Sequence, residues 1–165
     1  MKKAVKSLLA IISITALLLC LTSCAAIKGE NSMKKIESFS SVSLRITGMR
    51  ANIQLYEILK TDEGVSVSFY EGSWEYMDNV EKEDCLVSRV EGGEELYTEV
   101  LNILNENKVY KWDGFRKSAR NVLDGYMFTF EARVNNDEKI YANGSNAYPK
   151  NYNKFIEAIE ELLKQ

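Results

Sequence analysis

Three thiols, several acid pairs and one serine–asparagine turn are the side chains in this 165-residue chain that could carry chemistry. The thiols are Cys20, Cys24 and Cys85, and there is no histidine. A Cys–His or Ser–His nucleophile pair is therefore excluded, as are zinc sites built on histidine or on clustered cysteine. Asp62/Glu63, Glu81/Glu83 and Glu94/Glu95 are candidate acid pairs. Glycosidic hydrolysis needs two carboxylates facing across a cleft, about 5 or about 7–9 Å apart, and neighbours at a turn or a helix start do not supply that. Asp78 to Asp84 lacks the glycine and the ligand order of a calcium loop. Gly144-Ser145-Asn146 offers backbone and side-chain donors, an arrangement that holds an anion when it stands at a helix start. Arg116, with Lys117 and Arg120, would add positive charge there. The plainer reading is that Ser145 and Asn146 order a turn. Trp112 with Tyr110, Trp74 with Tyr70 and Tyr76, and Tyr148 are either platforms for a sugar or peptide, or core and its rim. No metal and no cofactor are expected.

The first residues carry Lys2, Lys3 and Lys6 and no acid, followed by an apolar run from Leu8 to Leu21 broken only by Ser13 and Thr15. A basic start, a short apolar stretch and small residues at its end make a secretory signal. The run is about 14 residues, short of the roughly 20 that an apolar helix needs to span a bilayer. It ends in Leu21-Thr22-Ser23-Cys24, an aliphatic residue, two small ones and cysteine, which resembles the lipobox of bacterial lipoproteins. The resemblance covers the first 24 residues. It implies cleavage before Cys24 and a diacylglyceryl group on its thiol, with acylation of the new amine as a further step, so that the mature chain is held on the extracytoplasmic face of the cell membrane. Two acyl chains hold far more firmly than one, at about 0.8 kcal/mol per buried methylene. Cys20 follows the bulky Leu19 and fits the pattern less well.

The whole chain has a net charge of −3, and removal of the leader's lysines leaves the remainder more acidic. No basic stripe with interleaved aromatics is present, so nucleic acid is not an expected partner. Anionic lipid would not attract the chain by charge either. With Cys20 removed and Cys24 acylated, only Cys85 is left, so no internal disulfide forms. Cys85 reads as a small buried hydrophobe in a strand.

Residues 25 to 35 are polar and aperiodic and read as a tether. Val42, Leu44 and Ile46, then Ala51, Ile53 and Leu55, then Val65, Val67 and Phe69, each alternate with polar positions. Period two predicts half-buried strands. Gly48 and Thr61-Asp62-Glu63-Gly64 supply turns, which makes a meander. Glu71 to Asp84 reads as a loop, and Cys85 to Val90 as a fourth strand. Leu96, Val100, Ile103 and Leu104 share one face of a helix over 94–105, with Glu94 and Glu95 at its positive end. Tyr126, Phe128, Phe130, Ala132 and Val134 alternate strictly, and Asn135 to Glu138 turns the chain into a return strand with Ile140 and Ala142. After a loop over 143–149, Pro149 suits a first helical turn, and Tyr152, Phe155, Ile156, Ile159 and Leu163 trace an apolar helical face.

The expected organisation is a leader over residues 1–23, a tether over 24–36 and one α+β domain over 37–165. That domain is an antiparallel sheet, meander plus C-terminal hairpin, packed on one face by two helices. Lys111-Trp112-Asp113-Gly114-Phe115, Leu123-Asp124-Gly125 and Gly144-Ser145-Asn146-Ala147-Tyr148-Pro149, ahead of Tyr152 and Phe155, resemble an uncharacterised family of small Gram-positive surface lipoproteins. The likeness spans about a third of the mature chain and brings no activity. The functional expectation is a non-catalytic module beside the membrane, with a protein, a peptide or a cell-wall component as partner. Trp112, Arg116, Ser145, Asn146 and Tyr148 are its candidate ligand residues. The alternatives are a carboxylate-based cell-wall hydrolase and a small-molecule binder or sensor.

Overall fold

A computed structural model describes residues 35–48, 52–73, 80–120 and 125–165. The leader, Cys24, the tether up to residue 34, Trp74 with Tyr76, and Leu123-Asp124 lie outside the described residues. The alternating segments form strands β1 (Phe39–Gly48), β2 (Ile53–Thr61), β3 (Gly64–Gly72), β4 (Leu86–Gly92), β6 (Tyr126–Val134) and β7 (Glu138–Ser145). A short strand, β5 (Arg116–Ser118), joins them where the sequence reads only as basic. The helices are α1 (Glu94–Glu106) and α2 (Tyr152–Leu162). A 3-10 turn spans Val80–Cys85, so Cys85 closes that turn and the fourth strand starts one residue later.

The seven strands make one sheet in the order β4-β3-β2-β1-β6-β7-β5. All neighbours are antiparallel except β5, which runs parallel to β7. The protein is therefore α+β, with a mostly antiparallel sheet. Strand β1 is the hinge of the topology. It pairs with β2 in the N-terminal meander and, across about 80 residues of chain, with β6 in the β6–β7 pair.

Burial follows the alternation. Val42, Leu44, Tyr56, Ile58, Val67, Phe128, Phe130, Ala132, Ile140 and Ala142 join Val100, Leu104, Phe155 and Ile159 from the helices in one cluster. Successive side chains of a strand point to opposite faces, so the residues that alternate with these belong to the other face. There a smaller cluster of Ile53, Leu55, Tyr70 and Cys85 is covered by the 3-10 turn. The turn is tied down by Lys82 to Glu57 at 2.9 Å, and by Glu83 to both Arg89 and the Tyr70 hydroxyl. Burial lowers the proton affinity of the Lys82 ammonium, but the hydrogen bond and charge of Glu57, together with Tyr70 and Glu83, outweigh it and hold the group above its ordinary range. The Cys85 thiol is buried in this small cluster.

Two asparagines bring the start of the domain into the fold. Ile36, the last residue of the segment read as a tether, has 0% exposure. The Asn105 amide on α1 accepts from the Ile36 N–H at 2.9 Å and donates to the Ile36 carbonyl at 2.8 Å. Asn135, in the β6–β7 turn, accepts from the N–H groups of Glu37 and Ser38 and donates to the carbonyl of Lys35. That turn uses left-handed backbone at Asn135, Asn136 and Asp137, a conformation that asparagine and aspartate tolerate best among side-chain-bearing residues.

Candidate functional site: a cationic groove on the sheet

A concavity of about 750 Å³ lies over β1, β6, β7 and β5. Its lining comes from the polar half of each alternating pattern, so the same periodicity that builds the core also builds the site. The register sets the residues in rows. Arg45, Thr129, Asn143 and Arg116 stand side by side across the four strands. Thr47, Met127, Ser145 and Ser118 form the next row, and Ser43, Glu131 and Tyr141 the row on the other side.

The groove has an internal order. The Arg116 guanidinium lies over the Tyr141 ring, 5.6 Å from its centroid, and the Tyr141 hydroxyl accepts a hydrogen bond from Asn143 at 3.2 Å. Lys117, at the rim, has its ammonium 5.5 Å from the Phe115 ring centroid. The carboxylate in the groove, Glu131, is engaged by Lys139 at 2.9 Å. The groove thus presents a cationic end set in hydroxyl and amide groups, on a chain whose net charge is negative.

A smaller hollow of about 300 Å³ adjoins it and shares Ser43 and Glu131. Glu57 also lines it. Glu57 and Glu131 flank Ser43 from the two neighbouring strands, which separates their Cα atoms by roughly 9–10 Å.

The expected ligand residues fall into two groups. Arg116 and Ser145 line the groove. Trp112 does not: it is 1% exposed, packs edge-on against Phe130 and Phe155, and donates from its indole N–H to the Lys150 carbonyl. It is a core residue, and its aromatic neighbourhood explains why. Asn146 is a turn residue at φ 50°, its side-chain oxygen accepting from the Tyr126 N–H. Tyr148 is 42% exposed but stacks on Tyr152 at 4.7 Å and on Phe128 at 5.8 Å, as a lid on the core.

The helix-start arrangement expected for Gly144 to Asn146 does not form. Strand pairing of Phe128 with Gly144 and Met127 with Ser145 carries β7 through these residues. Helix α2 begins only at Tyr152, after a left-handed Asn151, so Pro149 opens the turn that precedes the helix, its carbonyl accepting from the Tyr152 N–H, and does not sit in the first helical turn. Ser43, Arg45, Thr47, Thr129 and Asn143 were not singled out by sequence reasoning. Their signal was present as short, neutral or basic residues on the polar side of the strands, but it points to a site only once β1 is known to lie beside β6.

Among the described residues no group of three or more acids and cysteines is placed to hold a metal ion, and no helix is long and apolar enough to cross a membrane. The chain matches no protein-family model and no curated protein.

Proposed function

We propose that this chain is a lipid-anchored extracytoplasmic binding module. Cys24 carries the lipid, and the sheet groove of the domain takes a polar ligand beside the membrane. In this reading α1 and α2 form the closed side of the sheet, while the C-terminal hairpin supplies half of the open side. The likeness of the leader to the lipoprotein signal supports the anchor. The observation that carries the binding role is the groove itself, whose polar lining comes from four strands of one sheet. Sites built on strands hold their side chains more firmly than sites on loops.

Two measurements test the two halves. Intact mass of protein from its native host is expected to equal the chain from Cys24 plus its acyl groups. A chain still bearing its leader, or trimmed without fatty acid, overturns the anchor, and Cys24→Ala is expected to lose membrane retention. For binding, soluble envelope extract added to labelled protein is expected to move the amide resonances of Thr129, Asn143 and Ser145 and to leave those of α1 in place. Groove amides that stay still overturn the binding role.

The Glu57–Glu131 pair favours a second reading, a carboxylate-based hydrolase, because the two residues flank Ser43 from its neighbouring strands and line one hollow. General-acid work asks for a carboxyl kept neutral in a dry pocket. Here the side chains of Glu57 and Glu131 are 21% and 48% exposed, and each is paired with a lysine. Wall polysaccharide is accordingly expected to release no new reducing ends on incubation with the protein. Release that disappears in Glu57→Gln or Glu131→Gln would install the hydrolase in place of the binding module.

A further inference from the structure

We infer that the groove recognises a phosphate-bearing polyol, a glycerol phosphate-like unit whose phosphate is held by Arg116 and whose polyol arm runs along the row towards Arg45. This rests on the binding-module reading and names its ligand class. The first ground is charge: Arg45 and Arg116 both line one concavity of an acidic chain. The carboxylate in the groove, Glu131, is already engaged by Lys139. The second ground is how Arg116 is held. The Tyr141 ring supports it from one side, and no carboxylate among the described residues pairs with it. A stacked guanidinium keeps its planar fork of donors for a bidentate oxyanion, which is the geometry in which arginine surpasses lysine.

The third ground is the register. Arg45 and Arg116 close the two ends of a row with Thr129 and Asn143 between them. At the usual spacing of neighbouring strands their Cα atoms are about 14 Å apart. A row of that length suits one phosphate at Arg116 with a short polyol arm, lying over Thr129, Asn143 and Ser145. Hydroxyls both donate and accept, and so match the hydroxyls of a polyol. A peptide would want an apolar anchor pocket, and in this groove Met127 is the main apolar side chain.

The phosphate can belong to a lipid headgroup or to a soluble polyol phosphate, and one experiment separates these. The lipidated mature protein is placed in nanodiscs of phosphatidylcholine, and sn-glycerol 3-phosphate is titrated in while the Thr129, Asn143 and Ser145 amides are followed. Saturable binding is expected. It should weaken as salt rises, be absent with glycerol alone, and fall at least about tenfold in Arg116→Ala, as the loss of a charge-assisted pair requires. Arg116→Lys is expected to recover only part of it. Arg116 is exposed, so these variants keep the fold, and a circular dichroism melt confirms it.

In discs containing phosphatidylglycerol, amides already shifted before any addition identify the lipid headgroup as the source. Unshifted amides that respond to the soluble phosphate identify the free ligand. No saturable response to glycerol 3-phosphate in either disc, or equal binding by Arg116→Ala, overturns the ligand class. If glucuronate or an acidic peptide then binds with the Arg116 dependence, the phosphate assignment has failed while the binding role stands. Groove amides that also ignore envelope extract remove both.

Discussion

Asn105 does at one residue what a capping motif does for a helix. It replaces both backbone hydrogen bonds that Ile36 forfeits by entering the core before β1 begins. A buried amide or carbonyl left without a partner costs about 1–3 kcal/mol. Asn105→Ala is therefore expected to lower stability by about 2–3 kcal/mol, seen as a drop in the denaturant midpoint. It should also raise hydrogen exchange at the Ile36 amide more than at β1. A variant with unchanged Ile36 protection would show that the clamp through Asn135 suffices. These contacts fall at the end of the segment read as a tether, so the folded domain begins at Lys35 and Ile36.

Strand β7 illustrates how one element serves both core and groove. Ile140 and Ala142 enter the helix-side cluster, while Asn143 and Ser145 line the groove. At Gly144 the two demands meet. A Cβ there would run into the Ala147 carbonyl oxygen and come within 2.7 Å of the Phe128 ring. The chain turns back over β7 at this point, and Tyr148 then stacks on Phe128. Gly144→Ala is expected to cost about 1–3 kcal/mol as an overpacking substitution, measured by thermal melting. Because Gly144 pairs with Lys117, the same variant is expected to loosen β5 and weaken ligand binding by more than its stability loss explains at low temperature. A variant as stable as the parent would mean that residues 146–148 can move aside freely.

At the scale of the whole molecule, the core holds two phenols whose ionisation the fold opposes. Burial, and then the hydrogen bond from Tyr56 to Glu160 at 2.8 Å, raise the Tyr56 phenol above its ordinary value. Burial, with Tyr148 and Tyr56 nearby, does the same for Tyr152, whose hydroxyl has no hydrogen-bond partner. In the unfolded chain both ionise near pH 10. The folded state keeps its protons there and the unfolded state releases them, so stability from these groups is intact below about pH 10 and falls as pH rises beyond it. The slope approaches about 2.7 kcal/mol per pH unit for the pair. Denaturant midpoints at pH 8 and pH 11 test this. Tyr152→Phe is expected to cost little at pH 8, since no hydrogen bond is lost, and to remove about half of the alkaline slope. An alkaline slope that Tyr152→Phe leaves unchanged would place the ionising group elsewhere.

The strands and helices of this protein are legible in its residues because periodicity is local. Alternation in 126–134 and helical spacing in 94–105 each report which side of an element meets a core, and those sides are the ones that are buried, except at Tyr126, which is exposed at the start of its strand. The α+β class follows from the same patterns. Left to tertiary structure were the neighbours. Nothing within β1 indicates that β6 lies beside it, that a three-residue strand closes the sheet in parallel with β7, or that Trp112 belongs to the core. Each of these depends on contacts between residues far apart in the chain. Arg45 and Arg116 therefore read as two unrelated surface cations until pairing sets them in one row, because strand register is a non-local property and the groove is made of register.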